Sequence, residues 1–287
     1  MNSSQIRNTV ESDIRLEKLD SLQPHEKTAF KIVNQLAQEI EKDGFQKDPI
    51  IVEKNSMVVL DGMHRLAALK KLSCKTALCY FVAYEDVRVD RWCRLFISNQ
   101  DISLIELIES MQRLDKFNIR YVNDPREAIK RVNEDTVTGA LITKEKSILI
   151  NSKHTIKDLV EIYNHLILIE ILFKFHFNIE IKYSSKIEIE KKDVVGALVP
   201  PIVNKNNVIM AAKSGVLFPL KSTRHIPPIR PLSVNLPISF LRDEDMQEKN
   251  RELDTILHQK KIQLFSGGME IDGRAYEEAI LQYKDQD

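Results

Sequence analysis

Residues that crosslink a chain or bind structural zinc are scarce in this sequence. Its 287 residues include three cysteines, Cys74, Cys79 and Cys93, and no two of them form a C-x-x-C pair. An odd number of cysteines without paired spacing favours neither a disulfide framework nor a zinc site. We therefore expect three reduced cysteines that pack as small apolar residues.

Long apolar runs and an excess of charge of one sign are also missing. The most apolar stretch, residues 166–177, is too short to span a membrane and contains Glu170 and Lys174. The first eight residues lack the apolar core of a secretory signal. Basic and acidic residues both number 42, and zero net charge disfavours broad binding to nucleic acid. We expect a cytoplasmic protein without a membrane partner, and the composition indicates no oligomeric state.

An apolar content of 43% supports a substantial core, and the length suits one large domain or two smaller ones. Apolar residues spaced by three and four predict a helix over 28–42, which ends at Asp43-Gly44. Apolar runs predict strands at 50–52, 57–60 and 76–82, and a helix follows the second of them to about Leu72. The spacing of Trp92 and Phe96 indicates a helix over 87–96.

The rest of the sequence is less regular. Helical spacing predicts helices over 101–117, 125–132 and 156–173, and two apolar runs predict a hairpin over 138–151. Strands are predicted at 179–183 and 195–198. Because prolines are frequent in 199–238, this segment is predicted to consist of loops and short strands. A soft domain boundary lies near residue 98.

The most informative segment runs from Met57 to Leu69, where an apolar strand ends in Asp61-Gly62 and a helix begins at once with Met63-His64-Arg65. The first N–H groups of a helix have no partner within it and favour an anion. Gly62 allows close backbone approach, and a guanidinium such as that of Arg65 can bind a phosphate through two parallel hydrogen bonds. Asp61 can orient a hydroxyl or hold Mg²⁺. The alternative is a tight connection with solvated charges.

Two further segments carry candidate binding groups. Ser222, Thr223, Arg224 and His225 place four donors in a loop between prolines, which suits a carboxylate or a phosphate. The alternative is a surface turn. Trp92, the single tryptophan, can form the wall of a small pocket or pack in the core of a helix.

The order of these elements resembles the ParB/sulfiredoxin superfamily over residues 12–97. Sulfiredoxins carry Gly-Gly-Cys-His-Arg at the signature, and Met63 at the cysteine position excludes their chemistry. ParB proteins carry Gly-Glu-Arg-Arg at this position. Free serine kinases carry Asp-Gly-His-His-Arg, which differs from this chain only at Met63. Gln23-Pro24-His25-Glu26 and the segment 219–227 are similar to two further kinase signatures, and they extend the resemblance to 12–240.

The resemblance implies an α/β (α+β) fold with three parts. Residues 1–97 form a ParB/sulfiredoxin-like nucleotide-binding core, residues 98–243 form a smaller α+β portion that completes the active-site cleft, and residues 244–287 form a charged, partly helical extension. It also implies that the protein phosphorylates free L-serine to O-phospho-L-serine with ATP or ADP and Mg²⁺. The product would enter cysteine or related amino-acid synthesis.

The same resemblance implies a role for each candidate residue. Glu26 is the expected base, and Asp61 is a second catalytic carboxylate and a candidate magnesium ligand. The nucleotide phosphates are expected at Gly62, Met63, His64 and Arg65. Free serine is expected at Trp92, Ser222, Thr223, Arg224 and His225. The alternative function is that of a ParB-like, nucleotide-dependent DNA-binding or regulatory protein.

Overall fold

The computed structural model of the chain describes residues 3–134, 137–242, 245–271 and 273–284. The chain folds into two compact units. The first contains the residues up to Arg88, Ala212–Leu220 and the residues from His225 onward, and the second contains Val89–Ala211 and Lys221–Arg224. This division differs from the predicted ranges 1–97, 98–243 and 244–287, because the C-terminal part of the chain returns to the first unit. The predicted boundary at 243/244 itself lies outside the described residues.

Most helices of the described chain follow the predicted apolar spacing. In chain order, α1 to α9 are Ser3–Ser12, Phe30–Asp43, Met63–Lys71, Leu104–Gln112, Pro125–Asn133, Leu159–Phe177, Lys205–Ser214, Ile238–Leu241 and Met246–Gln259. A single 3₁₀ turn covers Tyr84–Asp86. Within the described ranges, no helix is both long and apolar enough to cross a membrane.

The strands are numbered β1 to β20 in chain order. They are Ile14–Lys18, Gln23–Pro24, Phe45–Gln46, Ile50–Glu53, Val58–Asp61, Thr76–Val82, Arg88–Asp90, Cys93–Ile97, Phe117–Val122, Gly139–Ile142, Ser147–Ser152, Glu180–Ser184, Val194–Val199, Arg224–Ile226, Ile229–Leu232, Leu236–Pro237, Lys261–Phe265, Met269–Ile271, Arg274–Tyr276 and Ala279–Lys284.

The first unit is built on a mixed sheet of five strands in the order β1-β6-β4-β5-β2. The pairs β1/β6 and β4/β5 are antiparallel, and the pairs β4/β6 and β2/β5 are parallel. Every residue of β6 is buried, as expected for a central strand covered on both faces. The predicted strands at 50–52, 57–60 and 76–82 are confirmed. The C-terminal residue of β5, Asp61, is separated from α3 by Gly62 alone.

Helix α2 buries one apolar stripe, made by Val33, Ala37 and Ile40. It ends at Gly44, whose φ of 80° allows its N–H to bond the carbonyl of Ile40. The predicted helix over 28–42 is therefore confirmed, and so is the helix that follows Asp61-Gly62.

The C-terminal residues complete the first unit rather than extend from it. Strand β20 pairs with β15 in parallel and with β17 in antiparallel orientation. The side chain of Asn250 in α9 accepts a 2.8 Å hydrogen bond from the backbone of Leu16 in β1, and Arg7 in α1 donates to the carbonyl of Leu257, 2.6 Å away. Long-range pairing of this kind leaves no local signal, so the sequence indicated only a charged, partly helical segment.

The second unit contains an antiparallel sheet of six strands, in the order β12-β8-β13-β10-β11-β9. Alternate residues of its strands face two separate cores. One core lies under α4 and α6, and the other lies under α5. The first includes Leu107, Leu141, Leu166, Ile148 and Leu198, and the second includes Ala128, Ala140, Ile142, Leu149 and Val199. The predicted hairpin over 138–151 is confirmed by the β10/β11 pairing.

Two predictions for this part of the chain are wrong. Residues 87–96 form β7 and the beginning of β8 instead of a helix, because Cys93 to Phe96 are buried consecutively within the sheet. Helix α7 lies in the segment 199–238 that was predicted to contain loops and short strands. The side chain of Asn204 accepts the N–H of Asn207 at its start, and the flanking prolines obscured this signal.

Candidate active site

In the turn between β5 and α3, the side chain of Arg65 folds back over the first residues of the helix. Gly62 is the N-cap of α3. Its φ of 100° is a backbone conformation that residues with a side chain rarely adopt. A Cβ atom at Gly62 would lie 3.0 Å from Nη2 of Arg65. The Arg65 guanidinium therefore covers the Gly62 backbone, and its Nη2 donates to the carbonyl of Pro49, 3.1 Å away.

Asp61 is the centre of an arginine cluster that the sequence did not reveal. Its Oδ2 accepts hydrogen bonds from Nη1 of Arg230 and, at 3.3 Å, from Nη2 of Arg274. Burial opposes ionisation of this carboxyl, but the guanidinium groups of Arg230, Arg274 and Arg65 hold its pKa well below the ordinary value of 3.8. Asp61 is therefore a fixed negative charge that holds cations in place.

Arg230 is the buried member of this cluster, with 3% of its surface exposed. In addition to Asp61, it bonds the carboxylate of Glu278 through Nε and the backbone carbonyl of His225 through Nη2 at 3.3 Å. Two carboxylates therefore balance its charge in the interior, as a buried guanidinium requires. An arginine between Ile229 and Pro231 in an apolar segment was the sequence signal that could have identified it.

Glu26, the predicted base, is 3% exposed and lies beside a buried histidine. Its backbone bridges to Phe218, since Lys27 N–H bonds the Phe218 carbonyl and Phe218 N–H bonds the His25 carbonyl. His25 Nδ1 lies 2.7 Å from the carbonyl of Val59, and its Nε2 lies 3.8 Å from Oε1 of Glu26. Burial lowers the pKa of His25 despite the nearby carboxylates, so the ring is neutral and this contact is not an ion pair.

His225 joins the same buried group. Its ring packs edge-on against that of His25 at 5.2 Å, and its Nε2 lies 2.9 Å from the Tyr84 hydroxyl. Burial, followed by the proximity of His25, lowers the pKa of His225 well below 6.5. A neutral, hydrogen-bonded ring fits a packing role in the first unit better than a direct charge contact with an anion.

His64 has a structural partner as well. Its Nε2 accepts a 3.2 Å hydrogen bond from the backbone N–H of Ala29, the residue that precedes α2. This bond ties the start of α2 to the start of α3. Met63, the departure from the kinase signature, is the first residue of α3 and is partly buried.

In the second unit, Trp92 lies under two cations. The Nζ of Lys221 is 4.7 Å and the Cζ of Arg224 is 5.3 Å from the centre of the Trp92 ring. Arg224 Nη1 also lies 3.9 Å from a carboxylate oxygen of Asp90. Ser222 and Thr223 are buried, so the predicted loop of donors is an interior segment, and the alternative of a surface turn is wrong.

The buried ion pair of Arg94 and Glu170 contacts the backbone of Trp92. Arg94 is fully buried; its Nε bonds Glu170 at 2.8 Å and its Nη1 bonds the backbone carbonyl of Trp92 at 2.7 Å. The Tyr183 hydroxyl donates to the other oxygen of Glu170 at 3.0 Å. Tyr163 places its hydroxyl 2.9 Å from the carbonyl of Ser222.

The structure thus divides the predicted site residues between the two units. The first unit gathers Glu26, Asp61, Gly62, Met63, His64, Arg65 and His225. The second unit gathers Trp92, Ser222, Thr223 and Arg224. Within the first unit, His25 links Glu26 to β5 through Val59, two residues before Asp61.

The residues around Asp61 do not fit a magnesium ion held by this carboxylate. Its Oδ2 is shared by two guanidinium groups, and three arginines make the surroundings favourable to an anion. In the described parts of the chain, no group of three or more His, Cys, Asp or Glu side chains could hold a metal ion. An anion such as a phosphate matches these donors better than a cation does.

Acidification below pH 6.5 is expected to destabilise the protein, because His25 and His225 remain neutral in the folded state while the unfolded chain takes up protons. The stabilisation that comes from the two neutral histidines is fully present above pH 6.5, the pKa of histidine in the unfolded chain. It is lost as the pH falls towards their lower pKa values in the folded protein. Each histidine contributes at most about 1 kcal/mol per pH unit in that range. Thermal unfolding between pH 7.5 and 5 measures the slope, and His225→Gln should reduce it; a wild-type midpoint that does not change with pH contradicts the assignment.

The chain is similar in sequence to several known proteins. No protein-family profile matches the chain. It is 22% identical to an ADP-dependent L-serine kinase, SerK, of Thermococcus kodakarensis over 78% of this chain and 91% of that protein. It is 27% identical to an ATP-dependent L-serine kinase of Staphylothermus marinus, covering 78% and 89%, and 28% identical to a ParB-like protein of Sulfolobus acidocaldarius, covering 71% and 86%.

Solved structures share the fold. A free serine kinase variant in complex with ADP superposes with a TM-score of 0.64 at 22% identity, over 80% of this chain and 94% of that one. SbnI from Staphylococcus aureus, with a C-terminal truncation, gives a TM-score of 0.69 at 15% identity, over 88% and 98%. The chain therefore has the mixed α/β fold of these proteins, and the similarity to a ParB-like protein supports the predicted ParB/sulfiredoxin-like fold. Within that fold class, the chain is a protein similar to the free serine kinases.

Proposed function

We propose that this protein transfers a phosphoryl group from a nucleotide, ATP or ADP, to the hydroxyl of free L-serine. The observation that carries the proposal is that one unit contains both the buried carboxylate of Glu26 and an arginine cluster around Asp61. Phosphoryl transfer needs a group that accepts the hydroxyl proton and cations that stabilise the phosphate oxygens. The similarity to ADP- and ATP-dependent L-serine kinases supports the same assignment.

In the proposed reaction, the serine hydroxyl gives its proton to Glu26 as its oxygen forms a bond to phosphorus. The bond between that phosphorus and the bridging oxygen of the nucleotide breaks, and its electron pair leaves with the shortened nucleotide. Arg65 and the start of α3 bind phosphate oxygens, while Asp61 keeps Arg230 in position. His25 stays neutral, so it forms no ion pair with the carboxylate of Glu26.

The residues that bind serine in this proposal are those that the resemblance implies. Arg224 supplies a cation for the serine carboxylate, and Trp92 provides an apolar wall beside it. Ser222 and Thr223 supply further polar groups in the same buried segment. His225, expected from the resemblance to bind serine, is proposed instead to support this segment by packing against His25 and Tyr84.

Magnesium enters this proposal with the nucleotide. Mg²⁺ keeps several waters and is commonly held by substrate phosphates with few protein ligands. A requirement for Mg²⁺ is therefore compatible with Asp61 being occupied by arginines. The product, O-phospho-L-serine, would serve as a precursor in cysteine or related amino-acid synthesis.

The direct test is to incubate the protein with L-serine, Mg²⁺ and either ATP or ADP, and to detect phosphoserine by mass spectrometry. D-Serine, threonine and homoserine are comparison substrates, and Glu26→Gln protein is the matched control for contaminating kinases. Phosphoserine from either nucleotide supports the proposal. If neither nucleotide gives a phosphorylated amino acid, the protein does not have the proposed activity.

A second candidate follows from the similarity to a ParB-like protein of Sulfolobus acidocaldarius. Under that alternative, the arginine cluster would bind a nucleotide that regulates contact with DNA. Zero net charge does not favour it. An electrophoretic shift with duplex DNA at physiological salt, with and without nucleotide, distinguishes the two functions, because weak non-specific binding falls steeply with salt.

Arg65→Lys is expected to raise the nucleotide KM and to lower kcat, with a loss in kcat/KM of about tenfold or more. Lysine keeps the charge but loses the planar fork that can bind two phosphate oxygens at once. Steady-state kinetics at varied nucleotide concentration measures both constants. Arg120→Lys, an exposed position on β9, is the matched control. Unchanged kinetics in Arg65→Lys would assign Arg65 to local packing over Gly62.

A further inference from the structure

The C-terminal part of the first unit delivers a partly exposed arginine to the site. Arg274 is the first residue of β19, which pairs with β18 in a short hairpin. Its side chain is 45% exposed, against 4% for Arg230, although both bond the same oxygen of Asp61. Among the described residues, one of the five N–H donors of Arg274 has a hydrogen-bond partner.

The hairpin is anchored at its base, so the position of Arg274 is determined by the fold. Gly268 N–H bonds the carbonyl of Tyr276 at 2.8 Å. A Cβ atom at Gly267 would lie 2.0 Å from the carbonyl oxygen of Glu277, so the two backbones approach as closely as a glycine allows. The Arg274 guanidinium lies 4.9 Å from the centre of the Tyr276 ring, which supports it from one side.

The contact between Arg274 and Asp61 is weaker than the contact between Arg230 and Asp61. Arg230 has two carboxylate partners, Asp61 and Glu278, and the shorter contact with Asp61. Arg274 shares Asp61 at 3.3 Å, longer than the 2.7–2.9 Å typical of a charge-assisted hydrogen bond. Asp61 and Glu278 together balance Arg230 and Arg274, so Arg65 is the cation in excess near Asp61. The long contact and the half-exposed position of Arg274 leave most of its N–H donors available to an anion.

We infer that Arg274 binds the β-phosphate of the nucleotide, which ATP and ADP share and AMP lacks, beside Arg65 and the start of α3. This inference rests on the proposed function and adds to it a residue far from the sequence motifs. Asp61 orients Arg274 before the ligand arrives, and a phosphate then takes the donors that face solvent. A planar guanidinium suits this task because it can bond two phosphate oxygens while it keeps its contact with Asp61.

The test compares nucleotides that differ in their terminal phosphate. The dissociation constants of ADP and of AMP are measured by calorimetry, without serine, for the wild type, Arg274→Gln and Arg274→Lys. Loss of a hydrogen bond between charged groups corresponds to about a 10- to 150-fold weakening. We expect Arg274→Gln to weaken ADP binding by that factor and AMP binding by less than about twofold, with Arg274→Lys in between. Glu270→Gln, an exposed change on the same hairpin, is the control and should bind as the wild type does.

The outcomes separate this inference from the proposed function. ADP affinity that is unchanged in Arg274→Gln, or equal losses for ADP and AMP, would overturn the role of Arg274 even if the protein makes phosphoserine. A selective loss for ADP would support it even if serine proves not to be the acceptor. Thermal unfolding of each variant accompanies the titrations; should Arg274→Gln fail to fold, the Arg274→Lys comparison alone decides, with a selective loss for ADP again expected. No nucleotide binding by the wild type would overturn both.

Discussion

Glu26→Gln is expected to lower kcat by about 10²–10⁴, the usual contribution of a general base, while the KM values for nucleotide and serine change little. Glutamine has nearly the size of glutamate and can still form hydrogen bonds, but it cannot accept a proton at neutral pH. The fold should tolerate the change, because residue 26 joins Phe218 through its backbone. A group that acts only in the transition state lowers kcat and kcat/KM together, so steady-state kinetics identifies the role.

Asp61→Asn is the companion measurement. The structure assigns this carboxylate to holding Arg230 and Arg274, so the variant should lose nucleotide affinity as well as turnover. Excess Mg²⁺ should not restore its activity, whereas a metal ligand at this position would predict partial rescue. If Glu26→Gln keeps near-native turnover while Asp61→Asn is inactive at every metal concentration, Asp61 is the base and the two roles are reversed.

Glu170→Met is expected to lower the free energy of unfolding by about 3–5 kcal/mol, because it leaves the fully buried Arg94 without its counter-charge. Arg94 would keep its bond to the Trp92 carbonyl, but a carbonyl does not neutralise a guanidinium. Denaturant unfolding followed by the fluorescence of Trp92, the single tryptophan, reports on this part of the second unit directly.

The double variant Arg94→Met with Glu170→Met is the control for this prediction. Removing both charges leaves an apolar pair of similar volume, and such replacements of buried ion pairs are often neutral or stabilising. The double variant should therefore recover most of the stability that Glu170→Met loses. A double variant as unstable as the single one would show that packing, and not the unpaired charge, determines the loss.

Elements specified by neighbouring residues could be predicted from the sequence. The stripe of Val33, Ala37 and Ile40 and the strand–turn–helix at Asp61-Gly62 gave α2, β5 and α3 nearly at their observed bounds. The helix predicted over 87–96 was wrong because a spacing of four between apolar residues is compatible with a buried strand as well as with a helix. Helix α7 was not predicted because the prolines around it indicated loops and its own apolar pattern is weak.

The candidate site shows the same limit. Glu26, Asp61 and Arg65 lie in short motifs, so the resemblance to the kinase signatures could identify them as candidates. Arg230 and Arg274 lie 169 and 213 residues from Asp61 along the chain, and no local pattern marks such partners. Their effect on the function of Asp61 is large, because they convert a candidate metal ligand into an anchor for guanidinium groups. The binding roles of the predicted residues remain predictions for the experiments above.

The return of the chain to its first unit has a consequence for biosynthesis. The five-stranded sheet is complete once Val82 has left the ribosome, yet β20, α9 and Arg274 are translated only after the whole of the second unit. At about 5–20 residues per second, the sheet waits on the order of ten seconds for the segments that cover β1 and complete the arginine cluster. The nascent chain therefore exposes part of an apolar sheet during synthesis, and the second unit is free to fold first. A chain released before the hairpin of β18 and β19 would contain every short motif of the site and still lack Arg274, one of the two arginines that bond Asp61.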